Sequence, residues 1–388
     1  MKHTDLFDAK HRGISGLLRS VVFTFGVLMF ALLLPTDTAW GRGKPPPPPP
    51  PPTPNPDIVY MSLGSRSVRP NVEIRGETPS SEVDGFTDSS LVKAATNRDQ
   101  SSIAWSPDGS RFAWLENGAI MIASPGKAPS VLYSTTAGDG KPVANGEGDA
   151  LAWGPDCRGG SALAFKSYQP YGIYFIWIDS FGVAHVPEQL VVIKSNGGLQ
   201  GMAFSPRGRH LAVAGWGDAF AYSGVNLVPM CGIDHTPTLL VAGTVLVGAS
   251  GSMNVPSMDW SRWGERLAVS MTTSDDPNYP WRDLKIIDLN YTGTSTSETV
   301  SYSNIWIVNL DYMFGAASSE HSPQWGPSVE NASCQRIAFS QSAGVSDGSD
   351  SNGRHLYLLD IYAGSLGGCA INDPFLLDSK NPRALDWK

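Results

Sequence analysis

One short segment recurs along this chain and limits its possible folds more than any other feature. The best-formed copy, residues 105–109, reads Trp-Ser-Pro-Asp-Gly and stands between two apolar runs. Proline presets φ, aspartate bonds to its own backbone and glycine takes a positive φ, so the segment predicts a tight turn between two strands. The aromatic residues of this copy and its weaker relatives follow at intervals of 48 to 65 residues: Trp105, Trp153, Phe204, Trp260, Trp325 and Trp387.

Repeats of this kind are typical of β-propellers, in which each blade is a sheet of four short strands. A second apolar run follows each turn, and third runs follow at 119–122, 172–177 and 355–361. The intervals above 50 residues indicate long loops in several blades. We therefore predict an all-β, six-bladed β-propeller, with five or seven blades as alternatives. A β-sandwich is a further alternative, because it also alternates apolar strands with Gly/Pro turns.

The two ends of the chain are predicted to share a blade. Trp387 opens a copy of the repeat that has no further strands, whereas residues 57–62, 72–75 and 91–94 fit second, third and fourth strands without a first. N-terminal and C-terminal strands in one sheet would close the ring and hide the edges that an open array exposes. We therefore predict that the C-terminal strand closes the propeller.

The first 56 residues predict export and a spacer. Residues 1–41 combine a basic leader with an apolar run from Val21 to Leu34, which is short for a bilayer of about 30 Å and typical of a signal peptide. An uncleaved signal anchor is the alternative. Residues 42–56 include an unbroken run of prolines and predict a polyproline II linker of roughly 37 Å ahead of a propeller at 57–388. We expect a periplasmic, extracellular or cell-surface location.

Composition narrows the range of partners. The formal net charge is −8, and only 16% of the residues are charged. An acidic exported chain is a poor match for nucleic acid, which attracts basic proteins. We expect membrane association only through an uncleaved N-terminal segment. The predicted partner is an envelope or extracellular protein, with a glycan as a further option.

Two copies of the repeat resemble a known family. Residues 105–109 and 204–208, each followed by an apolar-Ala-apolar strand, resemble the TolB-type, WD-like propeller repeat. The resemblance extends loosely over residues 57–388, while the copies at 153–157 and 260–264 depart from the pattern in their turns. It implies a six-bladed propeller that binds other envelope components. It also implies that the turn residues are structural, forming hairpins and packing tryptophan between blades, and that none is catalytic.

The cysteines are the best candidates for a specific covalent feature. There are four, Cys157, Cys231, Cys334 and Cys369, and an even number in an exported protein suggests disulfides with three possible pairings. In a propeller the turns after first and third strands share one face. This arrangement favours Cys334 with Cys369 in one blade and Cys157 with Cys231 between neighbours. No two cysteines have metal-ligand spacing, so we predict neither a metal site nor a cofactor.

Two functions remain open at this stage. The first is a non-enzymatic scaffold that binds its ligand through the loops at its two faces and at the mouth of the central channel. The long insertions at 133–147, 214–243, 272–283 and 340–353 are the predicted contact loops, and the candidate contact aromatics are Trp216, Tyr279 and Trp281. The alternative is a hydrolase or lyase module with acidic residues at the mouth of the propeller channel. No catalytic residue can be named for it, because no catalytic motif has the required context.

Overall fold

The computed structural model describes residues 58–63, 72–77, 89–93, 102–116, 118–134, 150–168, 171–192, 198–216, 220, 223–232, 234–247, 255–272, 282–293, 298–308, 319–326, 334–342, 354–362, 375–378 and 382–387. The predicted leader at 1–41 and the predicted linker at 42–56 lie outside them. All described residues belong to one compact unit, Pro54–Lys388. Within these ranges, no helix has the length and apolar character needed to cross a bilayer.

The described residues form twenty-four strands and one short helix, so the predicted all-β class is confirmed. The strands of the first half are β1 (Ile58–Leu63), β2 (Val72–Glu77), β3 (Ser89–Lys93), β4 (Ile103–Trp105), β5 (Phe112–Glu116), β6 (Ala119–Ala123), β7 (Ser130–Ser134), β8 (Leu151–Pro155), β9 (Ser161–Tyr168), β10 (Tyr171–Ile178) and β11 (Glu188–Val192). Most are short, as expected for elements bounded by Gly- and Pro-rich turns.

The second half continues the same pattern. Its elements are β12 (Gly198–Phe204), β13 (His210–Trp216), β14 (Gly224–Pro229), β15 (Thr238–Ala242), α1 (Gly243–Val247), β16 (Ser257–Trp260), β17 (Arg266–Thr272), β18 (Arg282–Thr292), β19 (Thr299–Val308), β20 (Ser319–Trp325), β21 (Cys334–Ser342), β22 (Arg354–Tyr362), β23 (Phe375–Asp378) and β24 (Pro382–Trp387). The helix α1 connects one sheet to the next.

The strands are grouped in antiparallel sets of four. Sheet 1 has the order β24-β1-β2-β3, and sheets 2, 3 and 4 contain β4–β7, β8–β11 and β12–β15. Strands β16–β19 form sheet 5 and β20–β23 form sheet 6, and one parallel pair, Arg282 opposite Ser319, links the two. In sheet 1, β24 pairs with β1 so that Trp387 lies opposite Ile58.

One edge strand of each sheet contacts its counterparts in the neighbouring sheets. We call these the inner strands: β24, β4, β8, β12, β16 and β20. Each contacts the next in this order, and β20 contacts β24. Successive four-stranded antiparallel sheets that meet along their inner strands have the architecture of a β-propeller.

Burial decreases from the inner to the outer strand of a sheet. The inner strands β4 and β12 are buried along their whole length. The outer strands β7, β11 and β19 are mostly exposed. The inner strands β4 and β8 read as short apolar runs rather than as alternating patterns, as expected for strands buried on both faces.

The hydrophobic core lies between sheets rather than within one. One cluster joins Leu115 and Ile120 of sheet 2 to Leu163 and Phe165 of sheet 3, all nearly inaccessible to solvent. Equivalent clusters join sheets 3 and 4, sheets 4 and 5, and sheets 5 and 6. Because apolar burial contributes about 25 cal/mol per Å², these clusters between neighbouring sheets stabilise the packing of sheets 2 to 6.

The inner strands approach one another closely. A Cβ atom on Gly154 in β8 would lie 2.2 Å from the Cβ of Phe204 in β12, so only glycine fits there without movement of the neighbouring strand. Hydrogen bonds add to this packing. The amide of Leu151 donates to the Ser102 hydroxyl at 3.0 Å, which joins sheets 2 and 3.

Candidate functional site

The turn after β4 is held by the residues of the repeat. The Ser106 hydroxyl accepts the Arg111 amide at 2.9 Å and donates to the Asp108 carboxylate at 2.6 Å. The Gly109 amide donates to the Ser106 carbonyl at 2.8 Å, and Gly109 has a φ of 62°. Only glycine adopts this left-handed conformation without a steric cost, so the order of residues in the motif follows from the geometry of the turn.

The same turn closes the inner hairpins of sheets 4 and 5. The Ser205 hydroxyl accepts the His210 amide at 3.1 Å, and the Ser261 hydroxyl accepts the Arg266 amide at 3.0 Å. In sheet 3 the turn is one residue shorter and begins with an aspartate, Asp156. The Asp156 carboxylate accepts the Arg158 amide at 2.7 Å and pairs with its guanidinium at 3.0 Å.

These turns lie on one side of the unit, since residues at or beside all four line the same cavity. Because neighbouring strands of a sheet run in opposite directions, the turn that follows the third strand of each sheet lies on the same side. We call this side the turn face. The start of β1 and the end of β24 also lie on it, since Ile58 is paired with Trp387.

A cavity of about 600 Å³ opens at the centre of the turn face. Its wall contains the repeated aromatic residue of five inner strands: Trp105, Trp153, Phe204, Trp260 and Trp325. Prolines of the adjoining turns complete the apolar part of the wall, namely Pro107, Pro155 and Pro206. The volume falls within the range of about 300 to 1,000 Å³ that ligand sites occupy.

The aromatic rings of this wall are fixed in position. Each is buried, with between 3% and 8% of its surface exposed. The indole N–H of Trp153 donates to the Ser161 hydroxyl at 2.9 Å, and that of Trp260 donates to the Ala203 carbonyl at 3.1 Å. The Arg111 guanidinium lies over the Trp153 ring at 5.6 Å. The wall is therefore preorganised, so binding there requires little reordering of side chains.

The wall also contains a cation, an indole N–H donor and a carboxylate. The exposed Arg262 carries the cationic group. The buried indole Nε1 of Trp325 has no hydrogen-bond partner among the described residues. Asp259 is the only carboxylate among the described lining residues, and it accepts the Trp325 amide at 2.8 Å. A single carboxylate already engaged in this way does not form the carboxylate pair of a glycosidase.

A second, narrower space of about 60 Å³ continues between the inner strands. Small and apolar residues such as Ala104, Ala152 and Ala203 line it, together with Asp259 and Gln324. Its size admits water rather than a larger ligand, since one water molecule occupies about 30 Å³ of the liquid. A larger ligand therefore does not fit in this second space.

An exposed apolar hairpin stands on the turn face of sheet 3. Phe181 and Val186 are 91% and 82% exposed. The Asp179 carboxylate accepts the amides of Phe181 and Val183, each at 2.9 Å, and so fixes the tip of the hairpin. Exposed apolar side chains on a fixed turn are typical of contact surfaces.

A group of charged residues joins the turn of sheet 4 to the loop of sheet 5. The Glu298 carboxylate lies 3.2 Å from the Arg207 guanidinium, 3.1 Å from that of Arg209 and 3.7 Å from His210 Nδ1. Burial lowers the pKa of His210 below its usual 6.5, although Glu298 opposes the shift. The Arg207 guanidinium also covers the ring of Tyr291 at 5.1 Å.

The structure brings two of the predicted disulfide cysteines together on the turn face. Cys157 lies in the turn of sheet 3 and Cys231 follows β14 in sheet 4, and both are free thiols here. Burial of the Cys231 thiol, followed by its hydrogen bond with Cys157, raises the pKa of Cys231 to about 12. Cys369 lies outside the described residues, and of Cys334 only the backbone is described.

The predicted contact aromatics do not gather at the cavity. Trp216 ends β13, away from the turn face, and is 40% exposed. Its ring covers Gly198, whose added Cβ would lie 2.2 Å from it. Tyr279 and Trp281 lie outside the described residues, and the side chain of Trp387 does as well.

Sequence reasoning gave the turn residues a structural role and did not foresee the shared cavity. The signal was present, because each aromatic residue of the repeat ends an inner strand and the inner strands of a propeller meet at its axis. No such pattern marked Asp259 or Arg262 as residues of a cavity. Asp259 immediately precedes Trp260, and Arg262 follows it by two residues.

No protein-family model matches the chain. No curated protein sequence matches it either.

Solved structures resemble it at low identity. A protein assigned as TolB from Agrobacterium tumefaciens is 12% identical, with 84% of this chain and 92% of that chain covered and a TM-score of 0.46. A chain of the mitotic checkpoint complex is 16% identical, with coverage of 86% and 80% and a TM-score of 0.45. The chain resembles TolB-type propellers.

A longer protein also matches in part. A puromycin-hydrolysing peptidase from Mycobacterium tuberculosis is 11% identical with a TM-score of 0.41. The match covers 82% of this chain but only 38% of the peptidase. All three TM-scores are below 0.5, so the propeller architecture rests on the strand pairing described above.

Proposed function

We propose that the chain is an exported, non-enzymatic binding protein that holds its partner at the turn face. The observation that carries this proposal is the cavity of about 600 Å³ walled by the aromatic residue of five successive repeats. Preorganised apolar walls with a few polar groups are typical of binding sites. The exposed hairpin around Phe181 extends the apolar surface outward on the same face.

The proposal includes a closed six-bladed ring. It is supported by the pairing of β24 with β1 and by the contacts of β24 with β4 and β20. In such a ring β24 is the sixth inner strand and completes the wall of the cavity. In a closed ring every inner strand packs between two other inner strands, so no sheet at the end of the array is left with an uncovered face.

Export and location are proposals from the sequence. Residues 1–41 act as a signal peptide or signal anchor, and residues 42–56 as a proline spacer that separates the propeller from them. The protein then works in the periplasm, outside the cell or at the cell surface. In these compartments Cys157 and Cys231 can be oxidised to a disulfide that joins sheets 3 and 4.

The partner is an envelope or extracellular protein, because the turn face combines a cavity with exposed apolar side chains. A glycan would use stacking on open aromatic faces, and the cavity rings are at most 8% exposed. A hydrolase or lyase would need acid and base groups at the same place. Asp259 alone, among the described lining residues, does not supply them.

Affinity capture from envelope extracts tests this proposal. The exported full-length chain is compared with Phe181→Ser and Arg262→Ala, which change the turn face. Val245→Ser is the control, because Val245 is 49% exposed on α1, at the opposite ends of the strands. A partner retained by the wild type and the control and lost by both turn-face variants supports the proposal. A partner retained by all four, or no reproducible partner, contradicts it.

A further inference from the structure

The arginines at the turn face form two groups. Four have a guanidinium group paired with a carboxylate of the chain: Arg158 with Asp156 and Glu188, Arg207 and Arg209 with Glu298, and Arg266 with Asp288. Within the described part of the chain, the guanidinium groups of Arg111 and Arg262 have neither a carboxylate partner nor a hydrogen bond. Carboxylates are not scarce, since the chain has 36 acidic and 28 basic residues. We call Arg111 and Arg262 the unpaired arginines.

Each unpaired arginine is held over a tryptophan ring. The Arg111 guanidinium lies 5.6 Å from the centre of the Trp153 ring, and that of Arg262 lies 5.5 Å from the centre of the Trp263 ring. A guanidinium that lies over a ring contacts it through its face, so the N–H groups in its plane stay available. Both side chains are therefore held in position and keep donors for an anion.

The unpaired arginines lie at the cavity. Arg262 is part of its wall, and Arg111 covers a tryptophan of the wall. They belong to the turns of sheets 5 and 2, so they approach the cavity from different sheets. The Asp108 carboxylate shares a turn with Arg111 but accepts the hydroxyls of Ser106 and Ser110, at 2.6 Å and 2.8 Å. The mouth of the cavity thus has two cations that no described carboxylate neutralises by ion pairing.

Arg111 also connects the cavity with the exposed hairpin of sheet 3. A Cβ atom on Gly182 would lie 3.6 Å from a terminal guanidinium nitrogen of Arg111. Gly182 stands between Phe181 and Val183, which are 91% and 56% exposed. A cation and exposed apolar side chains therefore adjoin one another between the hairpin and the cavity.

Guanidinium groups beside exposed apolar side chains match a peptide segment that combines carboxylates with apolar residues. Carboxylates pair with arginine through two parallel N–H···O bonds, and arginine clusters are a general means of recognising acidic motifs. A large polyanion fits less well, because the net charge of −8 repels it over a wide area. A short segment beside the two arginines is less affected, since salt screens charges beyond about 8 Å at physiological ionic strength.

We propose that the partner held at the turn face presents an acidic and apolar segment, whose carboxylates pair with Arg111 and Arg262 and whose apolar side chains pack on Phe181. This inference rests on the proposed function and deepens it, because it names the chemistry of the partner. Charge pairs at the edge of a site mainly determine specificity and the rate of association. The segment is therefore selected by its charge and held by apolar contact.

Peptides that differ only in charge test the inference. A fluorescein-labelled octapeptide of four Glu-Leu pairs is compared with one of four Gln-Leu pairs, and binding to the exported full-length chain is followed by fluorescence anisotropy. At low salt we expect the Glu-Leu peptide to bind about tenfold more tightly, which corresponds to two exposed ion pairs of about 0.7 kcal/mol each. Most of this difference should disappear in about 0.5 M NaCl, because salt screens exposed pairs. Equal binding of the two peptides at low salt, or no binding of the Glu-Leu peptide at millimolar concentration, overturns the inference.

Single variants locate the pairs. Arg111→Gln and Arg262→Gln each remove one cation, so each should weaken binding of the Glu-Leu peptide about threefold and leave the Gln-Leu peptide unchanged. Lys127→Gln is the matched control, because it removes an exposed cation from the turn between β6 and β7, on the same face but at the outer strands. It should change neither peptide. The inference is wrong if the control weakens Glu-Leu binding as much as the arginine variants do, or if neither arginine variant weakens it.

Charge reversal controls for a loss of fold. The double variant Arg111→Glu/Arg262→Glu should bind an octapeptide of four Lys-Leu pairs at least about tenfold more tightly than the wild type does. Unfolding does not produce such a gain of binding. A double variant that binds the Lys-Leu peptide no better than the wild type contradicts the inference.

The outcomes separate this inference from the proposed function. A partner captured through Phe181 and Arg262, together with equal binding of the charged and uncharged peptides, leaves the proposed function in place and removes the acidic segment. Discrimination between the peptides through the unpaired arginines, without any captured partner, leaves the acid-binding surface in place and contradicts the proposed function.

Discussion

The turns of sheets 2 and 3 occupy the same place in their sheets and differ in length and in residues. In sheet 2 the turn begins at Ser106, whose amide donates to the Arg111 carbonyl at 2.8 Å. In sheet 3 it begins at Asp156, whose amide donates to the Gly160 carbonyl at 3.3 Å. Trp105 immediately precedes its turn, whereas Trp153 precedes its turn by three residues. The two Trp-x-Pro-Asp segments are therefore out of register by two residues.

Both tryptophans nevertheless line the same cavity. Side chains along a strand alternate between its two faces, so a shift of two residues leaves a side chain on the same face. The comparison teaches that the repeat preserves the side of the strand on which the aromatic residue lies, and not its distance from the turn.

Loss of a disulfide between Cys157 and Cys231 should have the largest effect on stability. Cys157 follows Asp156 in sheet 3, at the place that Pro107 occupies in sheet 2. If it is oxidised with Cys231, the disulfide closes a long loop and stabilises the fold by about 4 kcal/mol in the chain-entropy model. Calorimetry on exported protein should find Cys157→Ser and Cys231→Ser equally destabilised, and the double variant no worse than either. Complete alkylation of both thiols in the native, unreduced protein would contradict this.

Overpacking of the inner strands should have the next largest effect. Gly154→Ala places a methyl group against Phe204 and should destabilise the protein by about 2 to 3 kcal/mol. The matched control is Ala104→Gly, which lies two residues before the turn of sheet 2 as Gly154 does in sheet 3. It should cost about 1 kcal/mol through backbone entropy. Urea unfolding measures both, and equal costs would argue against close contact between β8 and β12.

Replacement by alanine of the first residue of each turn should have a moderate effect on the free energy of unfolding. Asp156→Ala removes charge-assisted bonds to Arg158 and should cost about 2 kcal/mol. Ser106→Ala removes one charge-assisted bond, to the Asp108 carboxylate, and the bond from the Arg111 amide, which is fewer than Asp156→Ala removes, and it should cost about 1.5 kcal/mol. The two variants are compared by urea unfolding at one pH. A larger cost for Ser106→Ala would contradict this order.

The contribution of His210 to stability on acidification should be the smallest of these effects. Burial holds the pKa of His210 below 6.5 in the folded protein, so the unfolded chain takes up this proton first. The contribution of neutral His210 is complete above pH 6.5 and is lost as the pH falls below it. Glu298, Arg207 and Arg209 are the charged groups that face it. His210→Gln should therefore reduce the fall in melting temperature between pH 7.5 and about 5.5, a window set by the histidine pKa. If His210→Gln leaves the fall in melting temperature unchanged, groups other than His210 cause that fall.

Much of the fold could be predicted from the sequence. The inner hairpins carry their own turn chemistry, as at Ser106 and Gly109, and those of sheets 2 and 3 have apolar strands such as β4 and β8, which are buried on both faces. The outer strands were harder to define. β19 is largely exposed, and its pattern does not differ from that of a loop.

The candidate site could be predicted only in part. Each aromatic residue was recognised separately, but a cavity depends on the relative placement of strands that are about 50 residues apart. No local pattern marks Arg262 as a lining residue, and none marks Gly154 as a contact of Phe204. These relations follow from packing between sheets, which single-sequence reasoning does not resolve.

The central proposal is that the cavity stands at the centre of a closed ring of inner strands. Deletion of residues 384–388 tests it most directly, because this change removes most of β24 and exposes an edge of both β1 and the ring. We predict that the melting temperature falls by about 10 °C or more, far beyond the effect of trimming an unpaired tail. An unchanged melting temperature would contradict the closed ring and the cavity built on it.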